Sequence, residues 1–544
     1  MATDLINKPV DVVFIGYETQ ENLGVRSIMA VLADAGFNSI VEPFHPGEYD
    51  QVIRAILRYQ PRLVGFSIIF QYTIDDFKQL ADRLRAAGIG AHFTAGGHFP
   101  SIRPAEVLQL IPELDSIVRF EGEYTLLELL QRLSFPAEWE DILGLAYRVN
   151  GQIQINPPRP LITDLDQLPR LVRDEARVLS QGIRTASMLA SRGCLYDCAF
   201  CSIRQFYQGA PGPLRRTRSP QNVVAEMVDL YEQQGVRFFN FQDDDFAART
   251  QEQRKWLDQF LSELSAAGLS ERVIWKIACR VDDVDVELMR RCQKHGLAAV
   301  YLGVESGNPI GLQALNKHVT VQQNAAAIQI LKSLNLAFEI GFMLFDPSST
   351  IDTLAQNIHF LRQMMSDGQA PINFCKMLPY AGTPIEAQLK REGRLRGTVS
   401  QPDYAFLDPR LDLYAHFVHQ TFQKRNFKYS GLVERLRTYL FDIVLTQLTE
   451  DAPWVKDYEK DLHRMTRHVN RLALDTLKAS LSFIAERDIF EILNGWGYLR
   501  DLMDWEIAQE TKLEARLARV VSHFRPELMP ASARERELLY ASSS

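Results

Sequence analysis

The stretch Ser191-Arg-Gly-Cys-Leu-Tyr-Asp-Cys-Ala-Phe-Cys-Ser202 follows a short apolar run, Ala186–Ala190, and heads a long alternation of apolar and amphipathic segments. It holds Cys194, Cys198 and Cys201 in a CxxxCxxC pattern. Thiolates are soft, charged ligands suited to iron–sulfur clusters and to zinc. A closed structural zinc site takes four protein ligands, and the local supply is three. An iron cluster held by three cysteines keeps one iron open to an outside ligand. A zinc knuckle, or three cysteines close by chance, is the plain alternative for so short a motif.

Outward toward the C-terminus the alternation continues. After Ser219-Pro220, an N-cap and first-turn pair, a helix runs to about Gln234. Strands Val236–Gln242, Val273–Ala278, Ala298–Val304, Ala337–Leu344 and Ile372–Met377 alternate with helices Gln251–Ala267, Val284–His295, Val321–Leu334 and Thr350–Met365. Six strand–helix units predict a partial, TIM-like (βα)6 barrel whose site lies at the C-terminal strand ends. Those ends carry Asp243-Asp-Asp245, Arg280 and Gly303-Val-Glu305-Ser306, and Ile340-Gly341 lies within the fifth strand. The bland readings are three aspartates capping the next helix, a Glu305–Lys317 pair and a surface ion pair for Arg280.

Outward toward the N-terminus, Val10–Ile15, Ser39–Pro43, Leu63–Ile69, Ala91–Ala95 and Ser116–Phe120 are short, apolar and β-rich. Between them, Val25–Ala35, Tyr49–Tyr59, Ile74–Ala87, Pro104–Ile111 and Tyr124–Leu133 show helical spacing. This predicts a doubly wound, Rossmann-like α/β domain that binds a ligand beyond the carboxyl ends of its strands. There the sequence reads Gly16-Tyr-Glu-Thr-Gln-Glu21-Asn-Leu-Gly24, Gly65-Phe-Ser67-Ile-Ile69, Gly96-Gly97-His98-Phe99-Pro100 and Glu121-Gly122-Glu123. Paired glycines let a ligand approach the backbone. His98 reads as a hydrogen-bonded or exposed loop residue, and a flavodoxin-like domain with no ligand is the alternative for the whole.

Asp141–Pro160 reads as a hairpin turning at Asn150-Gly151, then a proline-marked linker. Beyond Pro402 the segments Leu411–Arg425, Tyr429–Leu448, Trp454–Arg487 and Ile489–Leu517 are helix-periodic. Their aromatics, Phe417, Phe422, Tyr429, Tyr439 and Trp505, read first as core, and alternatively as part of a cover over the barrel mouth. Arg534–Ser544 reads as a frayed tail. The expected division of this α/β chain is residues 1–140, the Rossmann-like domain; 141–182, the linker with its hairpin; 183–395, the partial barrel; and 396–544, a helical domain.

With 46% hydrophobic and 24% charged residues the 544-residue chain has an ordinary globular composition. A net charge of −8 and the lack of a basic tract argue against nucleic acid as a partner. No apolar run is long enough for a membrane span and no secretory h-region is visible. Six cysteines in 544 residues do not form a disulfide framework, and Cys279, Cys292 and Cys375 read as small buried hydrophobes. An oxygen-sensitive cluster needs a reducing compartment, so the cytoplasm is expected.

On these residues the chain resembles the cobalamin-dependent radical SAM enzymes. The cluster motif of that family has an aromatic residue before its last cysteine, and Phe200 stands there. The resemblance implies a 4Fe–4S cluster on Cys194, Cys198 and Cys201. Its open iron binds S-adenosylmethionine, which the reduced cluster cleaves to a 5′-deoxyadenosyl radical. It also implies that Asp243 receives the methionine ammonium, that Arg280 and Glu305 contact the methionine carboxylate and the ribose, and that Gly341 lets the adenine approach. The first domain is similar to cobalamin-binding domains. Corrinoid proteins with an axial histidine read DxHxxG in the first loop; here Glu21 replaces that histidine ahead of Gly24, which implies no protein histidine on cobalt. Ser67 matches the serine facing the nucleotide tail, Gly96 and Gly97 match the glycine pair beside it, and Glu121 joins this set at the fifth strand end.

The same resemblance implies methylation of an unactivated carbon, or of phosphorus, through methylcobalamin. The substrate would be a small molecule or a peptide, and an external donor of flavodoxin or ferredoxin type would reduce the cluster. A cobalamin-dependent cyclase or rearrangement enzyme without methyl transfer, and a non-catalytic cobalamin or iron–sulfur sensor, are the rival readings. Both cofactors are expected to face one dry cavity, with the N-terminal crevice docked over the barrel mouth. No catalytic side chain is legible.

Overall fold

A computed structural model describes residues 9–18, 20–246, 249–449 and 452–528. The expected tail Arg534–Ser544 and Thr19 of the first loop lie outside the described residues. The chain divides into two compact units. One is built from Met1–Glu175, Leu189–Asn222 and Leu378–Asp403, the other from Ala176–Met188, Val223–Met377 and Tyr404–Ser544.

The first unit is centred on a seven-stranded sheet. Val12–Gly16 (β1) reads Val-Val-Phe-Ile-Gly and is buried throughout, as a parallel strand covered on both faces must be. Ser39–Pro43 (β2), Leu63–Ser67 (β3), His92–Gly96 (β4) and Ser116–Val118 (β5) complete the parallel part, and Leu145–Val149 (β6) and Gln152–Ile155 (β7) add to it antiparallel. The order is β2-β1-β3-β4-β5-β6-β7. The helices are Leu23–Asp34 (α1), Tyr49–Tyr59 (α2), Ile74–Ala86 (α3), His98–Ile102 (α4), Pro104–Leu110 (α5) and Glu123–Gln131 (α6). In α3, Asp75 and Asp76 sit in the first turn and Arg83 and Arg85 in the last, matching the helix dipole at both ends. Strand order reverses between β1 and β3, the switch point at whose carboxyl edge sheets of this kind bind ligands.

The hairpin turns at Asn150 (φ 50°) and Gly151 (φ 77°), the two left-handed positions of a type I′ turn. It extends the sheet, because Leu145 and Tyr147 are buried in the core cluster of Val12, Phe14 and Leu129. Two later segments belong to the same unit. Ser191–Arg192 pairs antiparallel with Arg216–Thr217 in a short ribbon. Between its strands lie the cysteine loop and the helix Ser202–Gln208 (α7).

The second unit holds Arg177–Val178 (β8), Arg184–Met188 (β9), Val236–Phe241 (β10), Ile274–Arg280 (β11), Leu297–Glu305 (β12), Ala337–Phe345 (β13) and Cys375–Lys376 (β14). The order is β14-β13-β12-β11-β10-β9-β8, with β9 to β14 parallel and β8 antiparallel at the edge. This is the half-barrel, six parallel strands taken in chain order. Pro220–Gln234 (α8), Gln251–Ala266 (α9), Val286–Lys294 (α10), Pro309–Ala314 (α11), Val321–Ser333 (α12) and Ile351–Met365 (α13) connect them. Capping boxes at Thr250/Gln253, Thr320/Gln323 and Thr350/Thr353 start α9, α12 and α13.

The last strand was expected over Ile372–Met377, but only Cys375–Lys376 pairs. The backbone before it is satisfied by side chains instead. The Ile372 amide donates to Asn470, and the Ile372 and Phe374 carbonyls accept from Arg425 and Asn426. Those residues lie on Arg410–Phe427 (α14) and Pro453–Ala485 (α16), which cover the open edge of the sheet. Leu432–Gln447 (α15) packs at the amino-terminal strand ends, with Phe441 4.9 Å from Phe238 and Leu445 clustered with Ile183 and Ile274. It therefore forms a floor and not a cover for the end that carries the polar residues. The expected single helix Ile489–Leu517 is two, Ile489–Asn494 (α17) and Trp496–Phe524 (α18). They part at Gly495, where a Cβ would come within 2.8 Å of the Phe483 ring. Among the described residues no helix is long and apolar enough to cross a membrane.

Candidate cluster and cofactor sites

The cysteine loop is shaped by its backbone. Gly193 has φ 84°, and a Cβ there would collide with the Leu214 carbonyl oxygen, so the residue before Cys194 has to be glycine. The Cys201 amide donates to the Cys198 carbonyl at 3.2 Å, closing a turn that delivers Cys201 to the start of α7. Arg204 donates to the Leu195 carbonyl, and the Ile385 amide donates to that of Ala199. Cys194, Cys198 and Cys201 are part-buried thiols, as is the neighbouring Phe200 ring. Among the described residues no three His, Cys, Asp or Glu side chains are grouped as a single metal ion requires. A zinc ion draws its thiolates to ~2.3 Å from one point. A 4Fe–4S cube spreads its thiolates over separate irons. Three thiols on one loop are the donor set of a cluster that keeps one iron open, and a closed zinc site needs a fourth ligand.

At the β1/β3 switch point the structure brings several of the sequence-predicted residues together. Asn22 donates to the Ser67 hydroxyl at 2.9 Å and caps α1 by accepting from the Val25 amide. Gly24 lies in the first turn of α1, and Ser67 is in register with Gly96. Gly97 has φ 109°, and a Cβ on it would lie 2.5 Å from the Ile68 carbonyl oxygen. The glycine is thus required by the fold, and Gly96 and Gly97 add no side chain of their own to the end of β4.

Glu21 is held by both carboxylate oxygens to Arg173 of the linker, at 3.0 and 2.9 Å. Its neighbour Glu18 pairs with Arg26, which also binds Asp174. His98 starts α4 and lies 4.4 Å from the Phe206 ring; burial pushes its imidazole down to about 4, so it is neutral. Glu121 is committed to protein partners: it accepts from Arg192, from Arg216 and from the Ile162 amide.

In the second unit Asp243 follows β10 and is 3% exposed, and Arg280 ends β11 at 5%. Arg280 is buried, not at the surface, with its Nε donating to Asp282 at 2.9 Å and a terminal nitrogen to the Lys317 carbonyl. The aspartates do not cap α9, which Thr250 starts. Glu305 does pair with Lys317, at 3.0 Å. It also adopts φ 65° at a bulge in β12, a strained geometry for a residue with a side chain. A buried amide network holds the turn behind it: Asn324 donates to the Val304 and Ser306 carbonyls, and Asn308 and the Gly307 amide donate to Asn357. Gly341 stands opposite Gly303, and a Cβ on it would lie 2.5 Å from the Tyr301 hydroxyl.

Asn22 and Tyr301 were missed from the sequence. Asn before an apolar helical run is an N-cap signal. Tyr301 shares the face of Gly303 by the period of two that a strand imposes ahead of the bulge.

Beside Arg280, Asp283 is 4% exposed, and among the described residues neither of its carboxylate oxygens has a hydrogen-bond partner. Burial, then Asp245 and Asp282, raise it to about 8. The folded state therefore holds this proton more tightly than the unfolded chain. Its contribution to stability is full below the ordinary carboxylate range and is lost as pH rises to about 8. Asp283→Asn is expected to raise the melting temperature more at about pH 9 than at about pH 5, as thermal unfolding at the two pH values would show.

Comparison with known proteins places two family models on the chain. The B12 binding domain matches residues 11–130 and the Radical SAM superfamily matches residues 188–361. An uncharacterized methyltransferase of Pyrococcus horikoshii is 26% identical over 421 residues, which is 76% of this chain and 85% of that protein. An anaerobic magnesium-protoporphyrin IX monomethyl ester cyclase of Rubrivivax gelatinosus is 30% identical over 349 residues, 62% of this chain and 59% of the cyclase. Among solved structures, the cobalamin-dependent S-adenosylmethionine radical enzyme OxsB, with aqua-cobalamin and S-adenosylmethionine bound, superposes with a TM-score of 0.68. The match covers 99% of this chain and 84% of OxsB at 16% identity, a likeness of fold.

Proposed function

The chain belongs to the cobalamin-dependent radical SAM enzymes, and from that premise we propose that it is a methyltransferase acting on an unactivated carbon or phosphorus. We assign a 4Fe–4S cluster to Cys194, Cys198 and Cys201, with S-adenosylmethionine at the open iron. Cobalamin is assigned to the crevice at Gly24, Ser67, Gly96 and Gly97. The observation that carries the reading is that one compact unit holds both the three-thiol loop and this glycine-lined crevice. When bound, these cofactors supply a carbon radical that takes a substrate hydrogen atom and a methyl group that replaces it.

The chain's own residues bind and orient. Asp243 presents a buried carboxylate to an ammonium, and Asp282 and the Lys317 carbonyl fix the Arg280 guanidinium for a carboxylate. Glu305 is aimed by its bulge and by Lys317, and Gly341 leaves room beside Tyr301 for a flat base. Glu21, already paired with Arg173, is assigned no bond to cobalt. A small-molecule or peptide substrate, an external one-electron donor and a reducing cytoplasm complete the proposal.

The methyltransferase relative spans more of both sequences than the cyclase does, which favours methyl transfer. The cyclase identity of 30% keeps cobalamin chemistry without methyl transfer as the second reading. Anaerobic reconstitution is expected to give about four irons and one cobalt per chain. With candidate substrates, a product heavier by one methylene supports methyl transfer. Loss of hydrogen at constant carbon count would favour the cyclase reading. Iron without cobalt, even after incubation with cobalamin, would sink both.

A further inference from the structure

The ribbon that flanks the cysteine loop carries an unusual pair. Arg192 and Arg216 stand directly opposite each other in its antiparallel register. Like charges at such a position oppose strand pairing; Arg216 is buried and Arg192 largely so, with side chains 3% and 13% exposed. What lies against them is the turn after β5. Glu121 accepts from Arg192 at 3.1 Å and from Arg216 at 2.8 Å. Glu123 accepts from Arg192 at 2.6 Å, and Ser27 of α1 accepts from Arg192 at 3.0 Å while donating to Glu123 at 2.7 Å. The backbone of Ile162 closes the set, donating to Glu121 and accepting from Arg216. One buried and one part-buried guanidinium thus meet two buried carboxylates, and every member lies in the same compact unit.

We propose that Arg192, Arg216, Glu121, Glu123 and Ser27 are positioning residues that lock the cysteine loop onto the B12-binding sheet. The ribbon is self-repelling in isolation and pairs only where Glu121 bridges its two arginines. The segment that begins two residues before Cys194 is therefore shaped by the turn that bounds the crevice, and cluster and cobalamin are held at a fixed separation. This rests on the assignment of Cys194, Cys198 and Cys201 to the cluster.

The test combines Glu121→Gln with Glu123→Gln in the full chain. Amide hydrogen exchange over 191–217 is expected to accelerate about tenfold while β3 and β4 keep their protection. In reconstituted holoenzyme the distance distribution between cob(II)alamin and the reduced cluster, read by pulsed electron paramagnetic resonance, is expected to broaden about twofold at unchanged iron and cobalt content. Adding Arg192→Gln to Glu123→Gln restores one arginine to one glutamate and is expected to leave ribbon exchange slower than in Glu123→Gln alone; faster exchange would count against the proposal. Unchanged ribbon exchange, or equal loss of protection throughout the sheet, overturns the proposal. If the double variant fails to fold, Ser27→Ala, which removes one hydroxyl, is read in the same way. A wild-type chain that takes up no iron sinks the cluster assignment instead, and the exchange experiment without cofactors still reports on the network.

Discussion

Cys198→Ala is expected to yield a folded protein that retains little iron after reconstitution and cleaves no S-adenosylmethionine. The substitution touches the fold lightly. The thiol is part-buried on a loop, and the turn it belongs to is made by its carbonyl, which accepts from the Cys201 amide and survives the change. A stability cost within about 1 kcal/mol follows. The chemistry is less forgiving, because two thiolates do not hold a cube that three hold with one iron to spare. Cobalamin uptake is expected to persist, since Asn22, Ser67, Gly96 and Gly97 are on other strand ends. Iron, sulfide and 5′-deoxyadenosine assays check the result. Wild-type cleavage by the variant would remove Cys198 from the cluster, and with it the proposed chemistry.

Gly97→Ala is expected to do the converse, removing cobalamin binding and sparing iron. At φ 109° and ψ −174° the backbone is in territory essentially reserved for glycine, where a side chain costs about 1–3 kcal/mol. The added Cβ would also lie 2.5 Å from the Ile68 oxygen and 2.8 Å from its carbonyl carbon. Neither is a flexible side chain, so the end of β3 or β4 has to move. Ser67 and Asn22 sit on that edge and would move with it. Gly90→Ala is the control: it is exposed, its backbone is not left-handed, and its Cβ would meet nothing within 4 Å. Spectroscopic titration with cobalamin is expected to show at least a ~10-fold loss for Gly97→Ala, a loss of about 1.4 kcal/mol or more in binding. Equal affinities for the two variants would place the corrin elsewhere.

Much of this was readable in the chain because the relevant signals are local. β2 and α2 have the boundaries expected, since Pro43 ends one and a strongly amphipathic pattern defines the other. The strand-end residues stood out because parallel sheets confine polar groups to their carboxyl ends. What escaped is what depends on distant partners. The last barrel strand is short because Arg425, Asn426 and Asn470 take its backbone groups from 50 to 100 residues away. Glu121 looked like a crevice ligand until Arg192 and Arg216 arrived from beyond the linker. Glu21 was legible as the residue in the histidine's place, but its bond to Arg173 was not. Gly495 separates two helices where periodicity alone continues one, and Phe483 occupies the space a Cβ there would need.

Order along the gene and membership of a compact body diverge in this protein. The first body is assembled from Met1–Glu175, Leu189–Asn222 and Leu378–Asp403, so its polypeptide is interrupted twice. A chimera that grafts a relative's first 182 residues onto this chain would join a foreign β5 turn to a native ribbon, with arginines and glutamates drawn from different lineages. Successful recombination would have to carry all three segments together. Crossover points chosen by sequence position alone are expected to give aggregated products even between parents that are each well folded.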